Sequence, residues 1–420
     1  MMLYGVDSRQ SWVVAAFSSW FLFMVCIGQR VFSIIYVGIL EAFHVTRQEA
    51  SWPMSTIDLL ASLSNPVFGY LCSRFSCRAV LLWCGLAGPL GIILCYFAAN
   101  VTFIAVSYGI LNGVSISGTL TALTVVLAQH FDKRRATAYS VVFTISALNT
   151  FVLPPLVELF LSTYGLHGTF LVLGAICLNA FPAAIAIASP PETRGASPEE
   201  LVTLRDDCKQ RTAAEKSLSK EALKNFATLR FWVDSLSFCV MYLALSLYLT
   251  LAVDLAKDKG VDMTSAVFLL HAFSVGDVVF RGVSGFVLDS GALTSDGAML
   301  LGFVLQTSAL ELLACSANLP MLLIGSLILG CGNGLRMPIA GVVLIGDFGL
   351  KLLPLVFGGF ALVCGLNVWV RAPLIGCFRD KHGTYDGVLH VVGASSFAFV
   401  IVWSARIYLQ RARSNRQRTQ

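Results

Sequence analysis

The sequence predicts an all-α polytopic membrane protein with twelve transmembrane helices arranged as two six-helix bundles. Of the 420 residues, 56% are hydrophobic and only 13% are charged, with a mean hydropathy of +0.77. A soluble domain carries roughly 25% charged residues. Apolar stretches of about 20 residues, the length that crosses a bilayer as a helix, recur along the chain. One long polar segment near the middle separates six of these stretches from the other six.

The apolar stretches set the boundaries of the predicted spans. They fall at 12–40, 53–72, 79–98, 103–129, 137–163, 168–189, 230–255, 264–288, 297–316, 320–345, 353–377 and 386–409. We therefore predict an N-terminal six-helix bundle over 1–189, a cytoplasmic linker loop over 190–229, and a C-terminal six-helix bundle over 230–420 that ends in a short basic cytoplasmic tail.

The distribution of basic residues predicts the orientation. With both termini in the cytoplasm, 20 of the 29 Lys and Arg residues fall on the cytoplasmic side, 5 on the outer side and 4 within spans. Cytoplasmic loops of membrane proteins carry such an excess of Lys and Arg. The charge is spread over several loops and forms no single basic face, so nucleic acid is not an expected partner.

Charged residues inside the predicted spans indicate where the chemistry lies. Asp277 and Arg281 are four residues apart in span 8, so they share one helix face and can pair. A charge at mid-bilayer costs about 2.5–3.5 kcal/mol on insertion scales, and such residues usually line a substrate or ion path. The alternative is a buried ion pair that only locks two helices together.

The excess charge within the spans is positive, which suits an anionic substrate. Arg binds a carboxylate through two parallel hydrogen bonds. We expect Arg281 to bind substrate, Asp277 to orient it and accept a proton, and Arg30 to close the site from the other bundle. Asn149 is a candidate polar contact, although a single Asn is more often an interhelical hydrogen bond. Arg336 is left open between the site and packing.

Other chemistries find little support in the sequence. The chain shows no nucleophile–base pair and no phosphate loop, so we expect neither an enzyme nor a bound cofactor. Most of the twelve cysteines lie in apolar segments and read as small buried residues. No CxxC pair or Cys/His cluster has the spacing of a metal site, so none is predicted.

Two kinds of motif resemble known carriers. The segment from Gly69-Tyr-Leu71-Cys-Ser73-Arg74 to Arg78 resembles the loop after span 2 of the major facilitator superfamily, with Ser73 in place of the usual Asp. The six-plus-six layout with a polar central loop is also that of major facilitator carriers, which place the substrate site near the midplane.

A second set of motifs resembles the monocarboxylate transporter family. It comprises His130-Phe-Asp-Lys133-Arg134-Arg135, Asp7-Ser-Arg-Gln-Ser-Trp12, and Phe43-His44-Val-Thr-Arg-Gln-Glu49-Ala-Ser51-Trp52. The chain is identified as a divergent member of that family. The resemblance implies a carrier of small monocarboxylates, in which Arg30 replaces a first-span lysine and Asp277 and Arg281 match an acid and a base in span 8.

Further expectations rest on the same resemblance. Cys26 and Cys364 stand where those carriers have a tyrosine and an acidic residue, which weakens any transfer of substrate specificity. Arg74, Arg78 and the basic run Lys133, Arg134 and Arg135 are assigned to cytoplasmic gating. The plasma membrane is the expected location, and a proton and a single-span accessory subunit are candidate partners.

Two other functions stay open at this point. One is a carrier of the same fold for aromatic amino acids or related neutral solutes, and the other is a non-transporting membrane sensor. The mode of transport is open as well. Asp277 is the candidate for proton coupling, whereas a permanent charge on Arg30 suits an anion uniporter or exchanger.

Overall fold

The computed structural model describes residues 6–45, 47–187, 221–261, 263–382 and 384–419. The predicted linker loop therefore lies outside the described residues up to residue 220. The chain divides into two compact units. Unit 1 comprises Met1–Val233 with Leu344–Gly365, and unit 2 comprises Asp234–Val343 with Leu366–Gln420.

The first six spans are helices, several of them built from shorter segments. Span 1 is Arg9–Arg30 and Phe32–Phe43, span 2 is Arg47–Arg74, span 3 is Cys77–Leu94 with the short turn Cys95–Phe97, and span 4 is Val101–Ile104, Ala105–Ile110 and Leu111–His130. Span 5 is Arg135–Ala147 and the first part of Asn149–Cys177, and span 6 is the remainder of that helix with Ala180–Ala186. Gly165, at φ +67°, separates spans 5 and 6.

The second six spans follow the same pattern. Span 7 is Leu229–Asp258, span 8 is Met263–Asp289, span 9 is Ser295–Cys315, and span 10 is Leu319–Arg336, Met337–Ile339 and Ala340–Phe348. Span 11 is Leu353–Gly365 and Asn367–His382, and span 12 is Asp386–Thr419. Most span boundaries agree with the predicted ones to within a few residues. Span 12 continues past its predicted end into the basic tail.

Helices are the expected solution because a bilayer offers no water to satisfy backbone N–H and C=O groups. The first turns of several spans are capped by short polar side chains, which accept bonds from backbone N–H groups. Ser8 accepts from Ser11 at 3.3 Å, Ser76 accepts from Ala79 at 3.2 Å, and Thr294 accepts from Gly297 at 3.1 Å. These caps fix where spans 1, 3 and 9 begin.

Ten helical stretches of the described chain are long and apolar enough to cross a membrane. Spans 2 and 8 are not among these ten. They are nevertheless helices of 28 and 27 residues, and each carries several polar side chains. In span 8 the charged pair is buried, whereas Val275, Val279 and Val283 form an exposed apolar face.

Breaks within the spans fall next to the predicted polar residues. The first helix of span 1 ends at Arg30, and the first helix of span 5 ends two residues before Asn149. Span 10 turns irregular directly after Arg336. Val31, next to Arg30, leaves the helical region at φ −95° and ψ 2°, whereas Leu148, next to Asn149, keeps helical torsion angles of −61° and −18°. The backbone is therefore interrupted beside Arg30 and stays helical beside Asn149.

Within unit 1, span 2 packs closely on the first helix of span 11. A Cβ atom added at Gly69 would lie less than 3.0 Å from the carbonyl oxygen of Pro354. One at Gly358 would lie 2.8 Å from the carbonyl oxygen of Asn65. Small residues allow such close backbone contact between membrane helices.

Within unit 2, glycines join spans 8 and 10 in the same way. Added Cβ atoms at Gly276, Gly330 and Gly334 would each lie less than 3.0 Å from a backbone oxygen of the facing helix. For Gly330 that oxygen belongs to Phe273, whose ring packs on Tyr248 at 5.1 Å in the core of unit 2. The backbone contact between the two helices leaves no room for a methyl group there.

Gly330→Ala should therefore destabilise the protein, because the added methyl forces spans 8 and 10 apart. Overpacking of this kind typically costs about 1–3 kcal/mol. Gly346→Ala is the matched control, since a Cβ atom there meets nothing within 4 Å. A helical Gly→Ala change without a clash is favourable by up to about 1 kcal/mol. Thermal unfolding in detergent should show a lower midpoint for Gly330→Ala alone, and equal midpoints would contradict the packing described.

Candidate functional site

Asp277 and Arg281 form an ion pair inside span 8, as their spacing predicts. Nη2 of Arg281 donates to Oδ1 of Asp277 at 2.8 Å and to Oδ2 at 2.5 Å. The two residues are 7% and 4% exposed. Both bonds to the carboxylate come from one nitrogen, so the guanidinium contacts Asp277 through that nitrogen alone and not through two parallel N–H groups.

A third residue, Asn333 of span 10, completes the group. Its Nδ2 donates to Oδ1 of Asp277 at 2.7 Å, and the residue is buried. Gly330 and Gly334 flank it in sequence and bring the two backbones together. The sequence analysis missed Asn333. The glycine-rich run around it was the available signal, because glycines predict close helix contact, although they do not decide which neighbouring side chain faces span 8.

This arrangement balances a buried negative charge with a positive charge and an amide donor. An unpaired ion in the membrane interior would be far more costly than this neutral group. Asn333 also presents a buried oxygen, Oδ1, for which the described part of the chain supplies no donor. The group can therefore bind an incoming anion at Arg281, take up a proton at Asp277, or accept a hydrogen bond at Asn333.

Arg336 lies apart from this group and is engaged by packing. Its Nε donates to the carbonyl of Gly332 at 3.0 Å, and Nη2 donates to Oε1 of Gln306. Its guanidinium stands 4.4 Å from the ring centre of Phe303, and Gly302 leaves the space that its side chain fills. Of the two interpretations left open by the sequence, the contacts favour packing between spans 9 and 10.

The predicted site residues of the N-terminal half, Arg30 and Asn149, lie in unit 1. The Arg30 side chain is exposed, at the end of the first helix of span 1. Asn149 is fully buried, and its Nδ2 donates to the carbonyl of Phe23 at 2.7 Å. An amide nitrogen carries two N–H donors, so one donor of Asn149 is used between spans 1 and 5 and the second is not used by this bond.

The two N-terminal signature motifs meet in space at the end of span 4. The Asp7 carboxylate accepts the backbone N–H groups of Asp132 at 3.3 Å, Lys133 at 2.9 Å and Arg134 at 3.2 Å. The ring of Trp12 packs on that of Phe131 at 5.0 Å. The two motifs, far apart in sequence, thus form one capped loop.

The basic residues assigned to gating divide into two kinds. Three have side chains that donate hydrogen bonds within unit 1. Arg135 donates to the carbonyls of Phe131 and Ala128, and Arg74 donates to the hydroxyl of Tyr70. Arg78 donates to the carbonyl of Ile185. The carbonyls of Ala128, Phe131 and Ile185 lie at the ends of spans 4 and 6, so Arg135 and Arg78 stabilise helix ends. Lys133 and Arg134 have exposed side chains.

Comparison with known proteins identifies the class. A family model described as Major Facilitator Superfamily matches residues 19–335, and the chain belongs to that superfamily. Among solved structures, FucP, a Major Facilitator Superfamily transporter in the outward conformation, superposes with a TM-score of 0.76 at 14% identity, over 94% of this chain and 99% of that one. The predicted fold is confirmed, and the protein is a multi-pass membrane transporter and not an enzyme.

Two relatives of the chain are monocarboxylate transporters. The chain is 24% identical to monocarboxylate transporter 12 of Rattus norvegicus, over 96% of this chain and 86% of that protein. It is 25% identical to monocarboxylate transporter 13 of Bos taurus, over 92% and 87%. The resemblance to monocarboxylate transporters found in the motifs is thereby confirmed, at low identity.

The capped loop yields a stability prediction. Asp7→Ala removes the acceptor of three backbone N–H groups, and a hydrogen bond to a charged group is worth about 1.5–3 kcal/mol. Asp132→Ala is the control, since its carboxylate is 74% exposed and pairs with Arg135 at 3.4 Å. Such a surface pair contributes at most about 1 kcal/mol. We expect the unfolding midpoint in detergent to fall clearly for Asp7→Ala and little for Asp132→Ala, whereas the reverse order would contradict the capping role.

Proposed function

We propose that the protein carries small monocarboxylate anions across the membrane by alternating access. The observation that carries this proposal is the buried group of Asp277, Arg281 and Asn333 within unit 2. A charged cluster is costly in a membrane-spanning bundle, and such clusters mark substrate or ion pathways. The names of the curated relatives, monocarboxylate transporters 12 and 13, support the same substrate class.

Arg281 is proposed as the residue that binds the substrate carboxylate. A guanidinium presents five N–H donors in a rigid fork that matches a carboxylate, and it stays charged in proteins. The contact with Asp277 uses one terminal nitrogen of Arg281 for both carboxylate oxygens. A substrate carboxylate that binds the guanidinium through two nitrogens competes with Asp277 for this nitrogen, so binding of substrate and release of Asp277 are linked.

Asp277 is proposed as the residue that takes up a proton when substrate displaces it. A carboxylate that loses its cation in a low-dielectric interior favours the neutral acid. Protonation would keep the site neutral, since the substrate replaces the charge that Asp277 loses. Arg30 and Arg281 cannot exchange protons in this way, because a guanidinium is not deprotonated in proteins. A structural neighbour with the same fold, the E. coli fucose:proton symporter FucP, moves protons with its substrate.

The other site residues receive supporting roles in the proposal. Arg30 adds a second permanent positive charge to the transport path. Asn149 holds span 5 against span 1 and has a second amide N–H for a polar contact with substrate. Lys133 and Arg134, which keep exposed side chains, serve cytoplasmic gating. We also propose that the protein lies in the plasma membrane with both termini in the cytoplasm. A single-span accessory subunit is a candidate partner.

The binding role predicts a specific loss of function in Arg281→Lys. The ammonium keeps the charge but not the two-donor fork, so uptake of labelled monocarboxylates into cells should fall at least ~10-fold at equal surface amount. Arg336→Lys is the matched control, because that buried guanidinium is engaged by Gln306, Gly332 and Phe303 instead. It should lower the amount of protein but not the uptake per molecule.

Three outcomes would count against the proposal. Full uptake by Arg281→Lys would mean that the guanidinium does not bind substrate. Uptake of aromatic amino acids but not monocarboxylates by the wild type would assign the neutral-solute alternative. Binding of monocarboxylates by the wild type without flux would assign the sensor.

Proton coupling is tested separately in proteoliposomes that contain a pH-sensitive dye. We expect the wild type to acidify the lumen as substrate enters. Asp277→Asn should bind substrate without acidification, because the amide cannot take up the proton. Acidification by Asp277→Asn at the wild-type ratio of protons to substrate would overturn the role of Asp277. A wild type that moves no protons would be a uniporter or exchanger, and Arg30→Lys would then be the variant to examine for a gain of coupling.

A further inference from the structure

Three metal-binding side chains meet at the end of span 9. Glu311 and Cys315 lie one turn apart on that helix, and His390 lies in the first turns of span 12. One donor atom from each lies within 4.8 Å of the other two, and Nδ1 of His390 is 2.7 Å from Oε2 of Glu311. We propose that Glu311, Cys315 and His390 bind a divalent transition-metal cation of the zinc class.

The sequence analysis predicted no metal site, because His390 is 79 positions from Glu311 and the spacing of the ligands follows no local motif. The packing of spans 9 and 12 brings the residues together. Three further contacts fix the antiparallel register of the two helices: Arg406 with Asp296 at 3.2 Å, Phe399 with Phe303 at 5.3 Å, and Ser396 with Gln306 at 2.7 Å. Residue numbers rise along one helix as they fall along the other, and the next pair in this series is Glu311 with His390.

The ends of the two helices are also held in place. Nζ of Lys259, the residue directly after span 7, donates to the carbonyl of Ala314 at 2.6 Å and pairs with Asp386 at 3.1 Å. Ala314 directly precedes Cys315, and Asp386 lies one turn before His390. Lys259 therefore fixes both backbones that carry the ligands while its own charge is directed to Asp386.

Gly393 in span 12 leaves space for the carboxylate of Glu311. A Cβ atom at Gly393 would lie 2.5 Å from Oε1 of Glu311. Any larger residue there would push the carboxylate away from His390. The donor atoms of a tetrahedral zinc site are roughly 3.4 Å apart, given ligand distances of about 2.0–2.3 Å. Side-chain movements on the order of 1 Å would close the present arrangement around an ion.

The donor set selects the metal class. A thiolate, an imidazole and a carboxylate suit zinc and its neighbours, whereas magnesium and calcium require oxygen ligands. The side chains of His390 and Glu311 are 49% and 41% exposed and Cys315 is exposed, so an ion can reach them. Binding would release the thiol proton of Cys315 and replace the His390–Glu311 contact by two bonds to the metal.

The site is separate from the proposed transport chemistry. It lies on spans 9 and 12, whereas Asp277, Arg281 and Asn333 lie on spans 8 and 10. All of its ligands belong to unit 2, so a bound ion would link two helices of one unit. The expected consequence is stabilisation of the folded protein, because a ligand that binds only the native state raises its stability by mass action.

The test uses the purified full-length protein in detergent and needs no transport assay. Micromolar Zn²⁺ should raise the thermal unfolding midpoint of the wild type, and the apparent affinity should fall at least ~10-fold in Cys315→Ser and in His390→Ala. Cys377→Ser is the matched control, since Cys377 is also an exposed thiol but lies outside the cluster. It should respond to Zn²⁺ like the wild type.

A spectroscopic readout identifies the ligands directly. Co²⁺ added to the wild type and to Cys377→Ser should give a thiolate-to-metal charge-transfer band, which Cys315→Ser should lack. Wild-type protein that gains no stability from Zn²⁺ would overturn the proposal. So would a Cys315→Ser protein that binds Zn²⁺ or Co²⁺ as tightly as the wild type.

Discussion

The carboxylate of Asp277 lies inside a membrane-spanning helix, where a single charge without partners would not be tolerated. Arg281 neutralises it from the same helix, and Asn333 donates to it from span 10. The second contact requires the two helices to approach until their backbones touch, which Gly276, Gly330 and Gly334 permit. The glycine packing and the charge chemistry therefore depend on each other, because a wider helix spacing would leave Asp277 with one partner fewer.

Other charged side chains of unit 2 are also paired with opposite charges. Arg406 pairs with Asp234 at 3.0 Å and with Asp296 at 3.2 Å, and so joins spans 7, 9 and 12 at one end. Lys259 joins the same three spans at the other end. These pairs keep the positions of spans 9 and 12 fixed along their length. The pair of Asp277 and Arg281 is the one proposed for transport, whereas the contacts of Arg406 and Lys259 hold the helices of unit 2 together.

Features that depend on local sequence were predictable, and features that depend on how helices cross were not. Apolar length gave the spans, and the four-residue spacing gave the pair of Asp277 and Arg281. The contact from Asn333 joins residues 56 positions apart, and that from Asp7 reaches residues 125 to 127 positions away. Helical periodicity fixes which residues share a face but not which faces meet, so such contacts require the structure.

Helix breaks show the same limit in a different way. The break at Gly165 has a residue that suits it, because glycine accepts a positive φ readily and Gly165 adopts φ +67°. The break at Val31 has no such residue, and the sequence analysis treated span 1 as continuous. It places Arg30 beside irregular backbone, an arrangement that carriers use at substrate sites.

The central claim is that Arg281 binds substrate and is not only a partner that locks Asp277 in place. The most direct measurement is uptake by a protein in which the pair is exchanged, Asp277→Arg with Arg281→Asp, at a surface amount matched to the wild type. The exchange keeps a pair of opposite charges on one helix face but moves the guanidinium by one turn. This account predicts a folded protein with little or no monocarboxylate uptake. Wild-type uptake by the exchanged protein would contradict it, because the pair would then serve structure alone.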